Sequence, residues 1–334
     1  MSEQDPLKKN RLGLRGMLLV SGGVLVGSSI FLIPTVGLFP FAALSPDLPS
    51  PAASAESKER SSETKIKSQG TAAGPAGEAP PLLPVYWVGD VDGNVDGGVD
   101  GRDGLFREFV PAPQGSSADP IADAVRQMTS GEPLDPDYTS RWQPASAVSS
   151  SISTRNVITL DISSDAFSEG LPEDEALLAL QQLVYTATAS AANAGLIAGG
   201  ESSSVVVLVD GMAGYRAFDS VDLKGEWTRD TSTLAPVWII DPQEGVEASS
   251  AGVTVNGVGP AAERTLAWRI DRAEDPTGAD KTLFQDGSVE MSPEDGAPGA
   301  YSFTVSLPPG RYEITVSASV SDVEAEDSKT IVVR

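Results

Sequence analysis

Hydrophobic and polar positions divide this chain into four textures. From 16 to 46 no side chain is ionisable, and 17–38 is mostly Leu, Val, Ile, Phe and Gly. At about 1.5 Å of rise per residue, some 20 helical residues cross a bilayer core, and this run exceeds that. It predicts a transmembrane anchor over 16–44, with residues 1–15 as a cytoplasmic tail. Residues 45–83 are rich in Pro, Ala, Ser and Gly and have no apolar period, which predicts a disordered linker.

From 84 to 230 apolar positions recur with both strand and helix periods. Val85, Tyr86, Trp87 and Val88 predict a strand, and residues 105–110 a second one. Asp119-Pro120 opens a helix whose Ile121, Ala124, Val125 and Met128 share one face, and Gly131 stops it. Residues 147–153 and 157–162 read as a hairpin turning at Arg155-Asn156. A long helix follows over 171–193, with Leu177, Leu180, Val184, Ala187 and Ala191 as its buried stripe, widened by Leu178, Leu183 and Tyr185. Residues 205–209 form a strand ending in Asp210-Gly211. The order predicts an α+β domain, a mixed sheet with two helices on one face.

After a joint at 230–235 the period becomes two. Leu266, Trp268 and Ile270 share a face, as do Tyr301, Phe303 and Val305, and then Tyr312, Ile314, Val316 and Ala318. About seven strands in roughly 100 residues predict an all-β immunoglobulin-like sandwich over 236–334, with Trp268 as its core aromatic.

Charge sets the orientation of the anchor. Lys8, Lys9, Arg11 and Arg15 precede it, against Glu3 and Asp5, which places the N-terminus inside and the C-terminal domains outside the cytoplasm. A cleaved signal is the competing reading. Its best site, Ala53-Ser54-Ala55, lies well past an apolar run that is too long for a signal. The expected localisation is therefore the cell membrane, single-pass.

The 334 residues include no Cys and no His, and the formal net charge is −24. A Ser-His-Asp triad, a thiol nucleophile and the usual zinc sites are thereby excluded. The negative charge disfavours phosphate backbones, so nucleic acid is not an expected partner. Ser62-Glu63-Thr64-Lys65 matches S-x-x-K, but the accompanying S-D-N and K-T-G motifs are absent.

Between the first two strands Val-Asp-Gly repeats three times, and Asp90, Asp92, Asn94, Asp96 and Asp100 offer oxygen ligands suited to calcium. Val95 stands where a calcium-loop glycine belongs and Gly101 where a bidentate Glu belongs, so a solvated hairpin insertion is the simpler reading. No other cofactor is expected. Glu173, Asp174 and Glu175 are explained by the dipole of the helix they begin.

The run from Val85 to Arg229 resembles a GerMN domain, the module named for sporulation and spore-germination proteins. The resemblance is carried by Val85-Tyr86-Trp87-Val88, Leu105-Phe106-Arg107-Glu108-Phe109 and Ser130-Gly131-Glu132-Pro133. It continues through Val157-Ile158-Thr159-Leu160-Asp161-Ile162-Ser163 with Phe167, the long helix, and Val207-Leu208-Val209-Asp210-Gly211. The following segment resembles the immunoglobulin-like domain of bacterial spore germination. Ile240-Asp241-Pro242-Gln243-Glu244-Gly245, Val253-Thr254-Val255-Asn256-Gly257 and Tyr301-Ser302-Phe303-Thr304-Val305 carry that likeness. Together these resemblances imply a binding or assembly module at the outer face of a membrane, with no catalytic residues to carry over.

The expected function is a membrane-anchored, non-catalytic scaffold that binds envelope or membrane proteins through exposed edge strands. The alternative is a cell-wall polysaccharide binder using Trp142, Trp227 and Tyr215 as an aromatic platform. A carboxylate-based hydrolase ranks last.

Overall fold

In a computed structural model the described residues are 81–92, 102–113, 118–167, 170–197, 201–260, 263–273, 280–292, 298–320 and 323–334. The expected tail, anchor and most of the linker lie outside them. No helix among the described residues is long and apolar enough to cross a membrane.

The first half contains β1 (Leu82–Asp90), β2 (Asp103–Pro111), α1 (Pro120–Ser130), β3 (Tyr138–Thr139), β4 (Val148–Ile152), β5 (Val157–Ile162), α2 (Glu173–Asn193) and β6 (Ser204–Val209). A small hairpin of β7 (Arg216–Ala217) and β8 (Val221–Asp222) follows. In place of one mixed sheet there are two three-stranded ones, ordered β2-β1-β3 and β4-β5-β6. The first is antiparallel throughout; in the second, β5 and β6 run parallel, as the α2 crossover between them requires.

A ladder of side chains from α2 accounts for the division. Tyr86 N–H donates to Thr186 Oγ1 at 3.1 Å, Gln182 Nε2 donates to the Tyr86 carbonyl at 2.9 Å, and Asn193 Nδ2 donates to the Leu82 carbonyl at 3.0 Å. The helix thus occupies the β1 edge that a further strand would have used. Gln182 and Thr186 are fully buried for this reason. The helix turns that polar row inward, and Leu177, expected in the buried stripe, is 39% exposed. Leu180, Leu183, Val184, Ala187 and Ala191 do join the core, while Tyr185 packs with Tyr86, Val88 and Leu105 on the other face of β1.

α1 forms as its sequence requires: Asp119 Oδ1 accepts from Ala122 N–H at 2.9 Å, Pro120 occupies the first turn, and Ile121, Ala124, Val125 and Met128 are buried. The Arg155-Asn156 turn places Asn156 at φ 59°. Asp210 and Gly211, at φ 51° and 76°, fold the end of β6 back onto Met212.

The second half is all-β: β9 (Trp238–Asp241), β10 (Glu247–Ala248), β11 (Val253–Gly259), β12 (Thr265–Ala273), β13 (Lys281–Glu290), β14 (Gly299–Val305), β15 (Gly310–Val320) and β16 (Val323–Val333). They make one sheet ordered β14-β11-β9 and another ordered β10-β16-β15-β12-β13, with β10 parallel to β16. Val255, Tyr301 and Val305 from the first sheet share a core with Leu266, Ile270, Ile314 and Ile331 from the second. Trp268 lies on the expected face but is only partly buried. It stacks on Phe303 (centroids 4.9 Å apart, planes at 13°), above Gly287, where a Cβ would come within 2.5 Å of its ring.

The joint is built into the fold. Its Thr231–Thr233 turn is capped by Asp230, and Ala235 N–H donates to the Leu105 carbonyl of β2 at 3.1 Å. Phe109 N–H donates to Gln243 Oε1 at 3.0 Å, and the cores of the two halves are continuous.

Candidate functional site

Of the acidic-loop residues singled out from sequence, Asp90 and Asp92 are described. Asp90 ends β1 and accepts the Asp92 N–H at 2.8 Å, a local Asx turn. Asn94, Asp96 and Asp100 lie outside the described residues, and no group of three acidic side chains placed to hold a metal is found among those described. Glu173, Asp174 and Glu175 occupy the first turn of α2, where the helix dipole favours them, and Glu175 reaches Arg141 at 3.8 Å.

The aromatic platform dissolves. Trp142 is buried, donates its Nε1–H to the Ala179 carbonyl at 3.1 Å, and packs edge-on against Phe167 and Phe218. Tyr215 leans on Phe167 at 5.3 Å, and Trp227 pairs its backbone with Val205. These three side chains pack into or against the core; they do not form a flat exposed face.

What the fold assembles instead is a buried polar cluster where the two halves meet. Lys329 of β16 has a side chain 2% exposed. Its ammonium contacts Asp135 Oδ2, donates to Tyr138 Oη at 2.5 Å and to Asp327 Oδ1 at 3.1 Å, and lies 4.3 Å from the Tyr138 ring centre. Tyr138 Oη donates to Asp327 Oδ1 at 2.7 Å, while Asp327 Oδ2 accepts the Ile239 N–H at 2.6 Å. Glu108 of β2 is 1% exposed and accepts the backbone N–H groups of Leu134 and Asp135, each at 2.8 Å. At the rim Glu244 Oε2 accepts the Thr330 N–H at 2.5 Å.

Burial raises the proton affinity of Glu108 and Asp327 above the usual carboxylate range, against the pull of their hydrogen bonds and of Lys329. Burial likewise pushes Glu244 up to about 7. Loss of hydration would pull Lys329 down, yet the two aspartates outweigh it and hold its proton more tightly than usual. Sequence reading passed over this cluster because its members are far apart along the chain, Asp135 and Lys329 by 194 residues. One signal was present. Asp327 and Lys329 share strand parity with Ile331 and Val333, and all four are buried.

Several strand borders in the first half are occupied. β1 is covered by α2 and β3, and β2 carries the joint and Gln243. β4 gives its Val148 carbonyl to Arg126 Nη2 at 2.5 Å and its Ser150 N–H to Asp119 Oδ2 at 2.7 Å. β13 ends the five-stranded sheet, is exposed at every side chain except Val289, and presents Leu283 (56% exposed) and Phe284 (39%). Two surface depressions beside β4 hold only about 200 and 140 Å³, small beside ligand pockets of about 300 Å³ or more.

Residues 84–214 match the family model described as Germane, sporulation and spore germination. No curated protein matches the chain. Among solved structures it is similar to the first GerMN domain of the sporulation protein GerM from Bacillus subtilis, at 13% identity. That alignment covers 44% of this chain and 97% of the other, with a TM-score of 0.32. It is also similar to the tandem GerMN domains of the same protein, at 16% identity, covering 48% of this chain and 49% of the other, with a TM-score of 0.30. On the strength of the family model, residues 84–214 are a Germane domain, the GerMN-type module of sporulation and spore germination.

Proposed function

We propose that this protein is a non-catalytic binding and assembly component of a bacterial cell envelope. The apolar run at 16–44 anchors it in the membrane, and the Germane domain and an immunoglobulin-like C-terminal sandwich stand outside as one body. The observation that carries this reading is the distribution of strand edges. The Germane domain's β1, β2 and β4 edges are met by its own helices and by the joint, while β13 offers a ten-residue border with exposed Leu283 and Phe284. Strand addition at such a border supplies main-chain hydrogen bonds for affinity and side-chain contacts for selectivity.

The strand order supports the immunoglobulin-like reading. A sheet of β14-β11-β9 faces one of β10-β16-β15-β12-β13, which is the Greek-key division expected of that sandwich. A photo-crosslinking residue at position 283, with one at exposed Leu177 as control, tests the proposal in cells. A defined envelope protein captured from 283 and not from 177 is the expected result. Equal capture from both sites, or none, rejects docking at β13. Binding of the purified ectodomain to isolated cell wall would then favour the polysaccharide alternative.

A further inference from the structure

The seam between the two halves brings together the parts needed to close an amide between side chains. These are an amine, a carboxyl in contact with it, and a second carboxyl touching the same amine, all shielded from water. Lys329, Asp135 and Asp327 have side chains 2%, 3% and 3% exposed. We propose that Lys329 and Asp135 are joined by an intramolecular isopeptide bond, formed by the chain itself, that ties β16 covalently to the loop leading into β3.

The surroundings suit each step. Asp135 is fixed by Glu108, which accepts its backbone N–H at 2.8 Å, and by its own Oδ1, which accepts the Asp137 N–H at 3.0 Å. The Lys329 ammonium is capped by the Tyr138 ring and held against Asp135 Oδ2. Asp327 Oδ1 lies 3.1 Å from Nζ and is steadied by Tyr138 Oη and the Ile239 N–H. Transfer of one ammonium proton to Asp327 replaces two buried charges by two neutral groups, which a low-dielectric site favours. The raised proton affinity of Asp327 acts in the same direction, against the tighter hold that the two aspartates give the Lys329 proton.

The freed lone pair then attacks Cγ of Asp135. A C–N bond forms, the bond from Cγ to Oδ2 breaks, and that oxygen leaves as water. Two of the three ammonium protons depart with it, one of them carried by Asp327, and the third stays on the amide nitrogen. No electrons are exchanged with an outside group, and Asp327 ends as it began. Holding the reactants in contact replaces a bimolecular encounter. A chain without cysteine has no disulfide available, so this is a covalent tie its composition permits.

Tryptic digestion of the denatured full-length protein decides the matter. Asp135 falls in peptide 127–141, and Lys329, once acylated, blocks cleavage and leaves peptide 312–334 intact. The expected product is one branched species whose mass is that of the two peptides less one water, with no free 330–334. Separate peptides 127–141, 312–329 and 330–334 at full mass overturn the proposal, as does loss of water from 127–141 alone. Asp327→Asn keeps both bonded residues and should yield the unlinked peptides. If that variant is still linked, Asp327 is not the proton carrier and the mechanism given for the bond fails.

Discussion

Thr186 sits in the middle of a helix with no exposure, and its hydroxyl accepts the one amide of Tyr86 that β3 and β2 leave over. Thr186→Val keeps the shape and orphans that amide. An unpaired buried donor costs about 1–3 kcal/mol, so urea unfolding should show a loss of that size with an unchanged m value. Hydrophobic periodicity found α2 but left Gln182 and Thr186 out of its buried stripe, because a count of apolar positions gives buried amides and hydroxyls no weight. Their spacing of four residues was the readable clue. Trp142 went astray for a related reason: an isolated Trp in a Pro-rich loop reads as exposed until Phe167 and Phe218 close around it.

Among elements, those with punctuation were legible and those at borders were not. α1 was marked by Asp119-Pro120 at one end and Gly131 at the other, and both serve as expected. Asp119 also accepts the Ser150 N–H and hydroxyl, at 2.7 and 2.6 Å, so one carboxylate joins a helix start to a strand edge. Asp119→Ala should therefore cost more than a simple cap, about 2 kcal/mol, and raise amide exchange in β4 as well as in the first turn of α1. β13 had no apolar face to announce it, since of its side chains only Val289 is buried. β16 was hidden over most of its length by Glu324, Glu326, Asp327, Ser328 and Lys329, a run that reads as a solvated loop although Asp327 and Lys329 point inward. The two separate sheets of the Germane domain were beyond reach, because hydrogen bonds from α2 to β1 decide them.

For the whole molecule, the seam makes stability depend on pH with a definite sign. Glu244 titrates near 4.5 when the chain is unfolded and is raised to about 7 in the fold, chiefly by burial. Its folded form thus binds a proton more tightly, and that contribution is fully present below pH 4.5 and lost as pH rises through 7. Glu108 and Asp327 are raised too and act in the same direction. Asp165, Asp222 and Asp230 are lowered by hydrogen bonds and lose stability only in more acidic solution, below the carboxylate range. Unfolding between pH 5 and 8 should therefore show stability falling with pH. About 1–2 kcal/mol of that fall should vanish in Glu244→Gln, a figure reduced to allow for solvent screening of a half-buried group. The cluster also gives the molecule a clock. Asp135 and Lys329 are 194 residues apart, about 10–40 s of synthesis at ordinary rates. Through that interval Asp135 has neither Lys329 nor Asp327 beside it. Emergence of β16 closes the second sheet and brings Lys329 against Asp135 in one event, so the tie between the two halves waits for that strand to arrive.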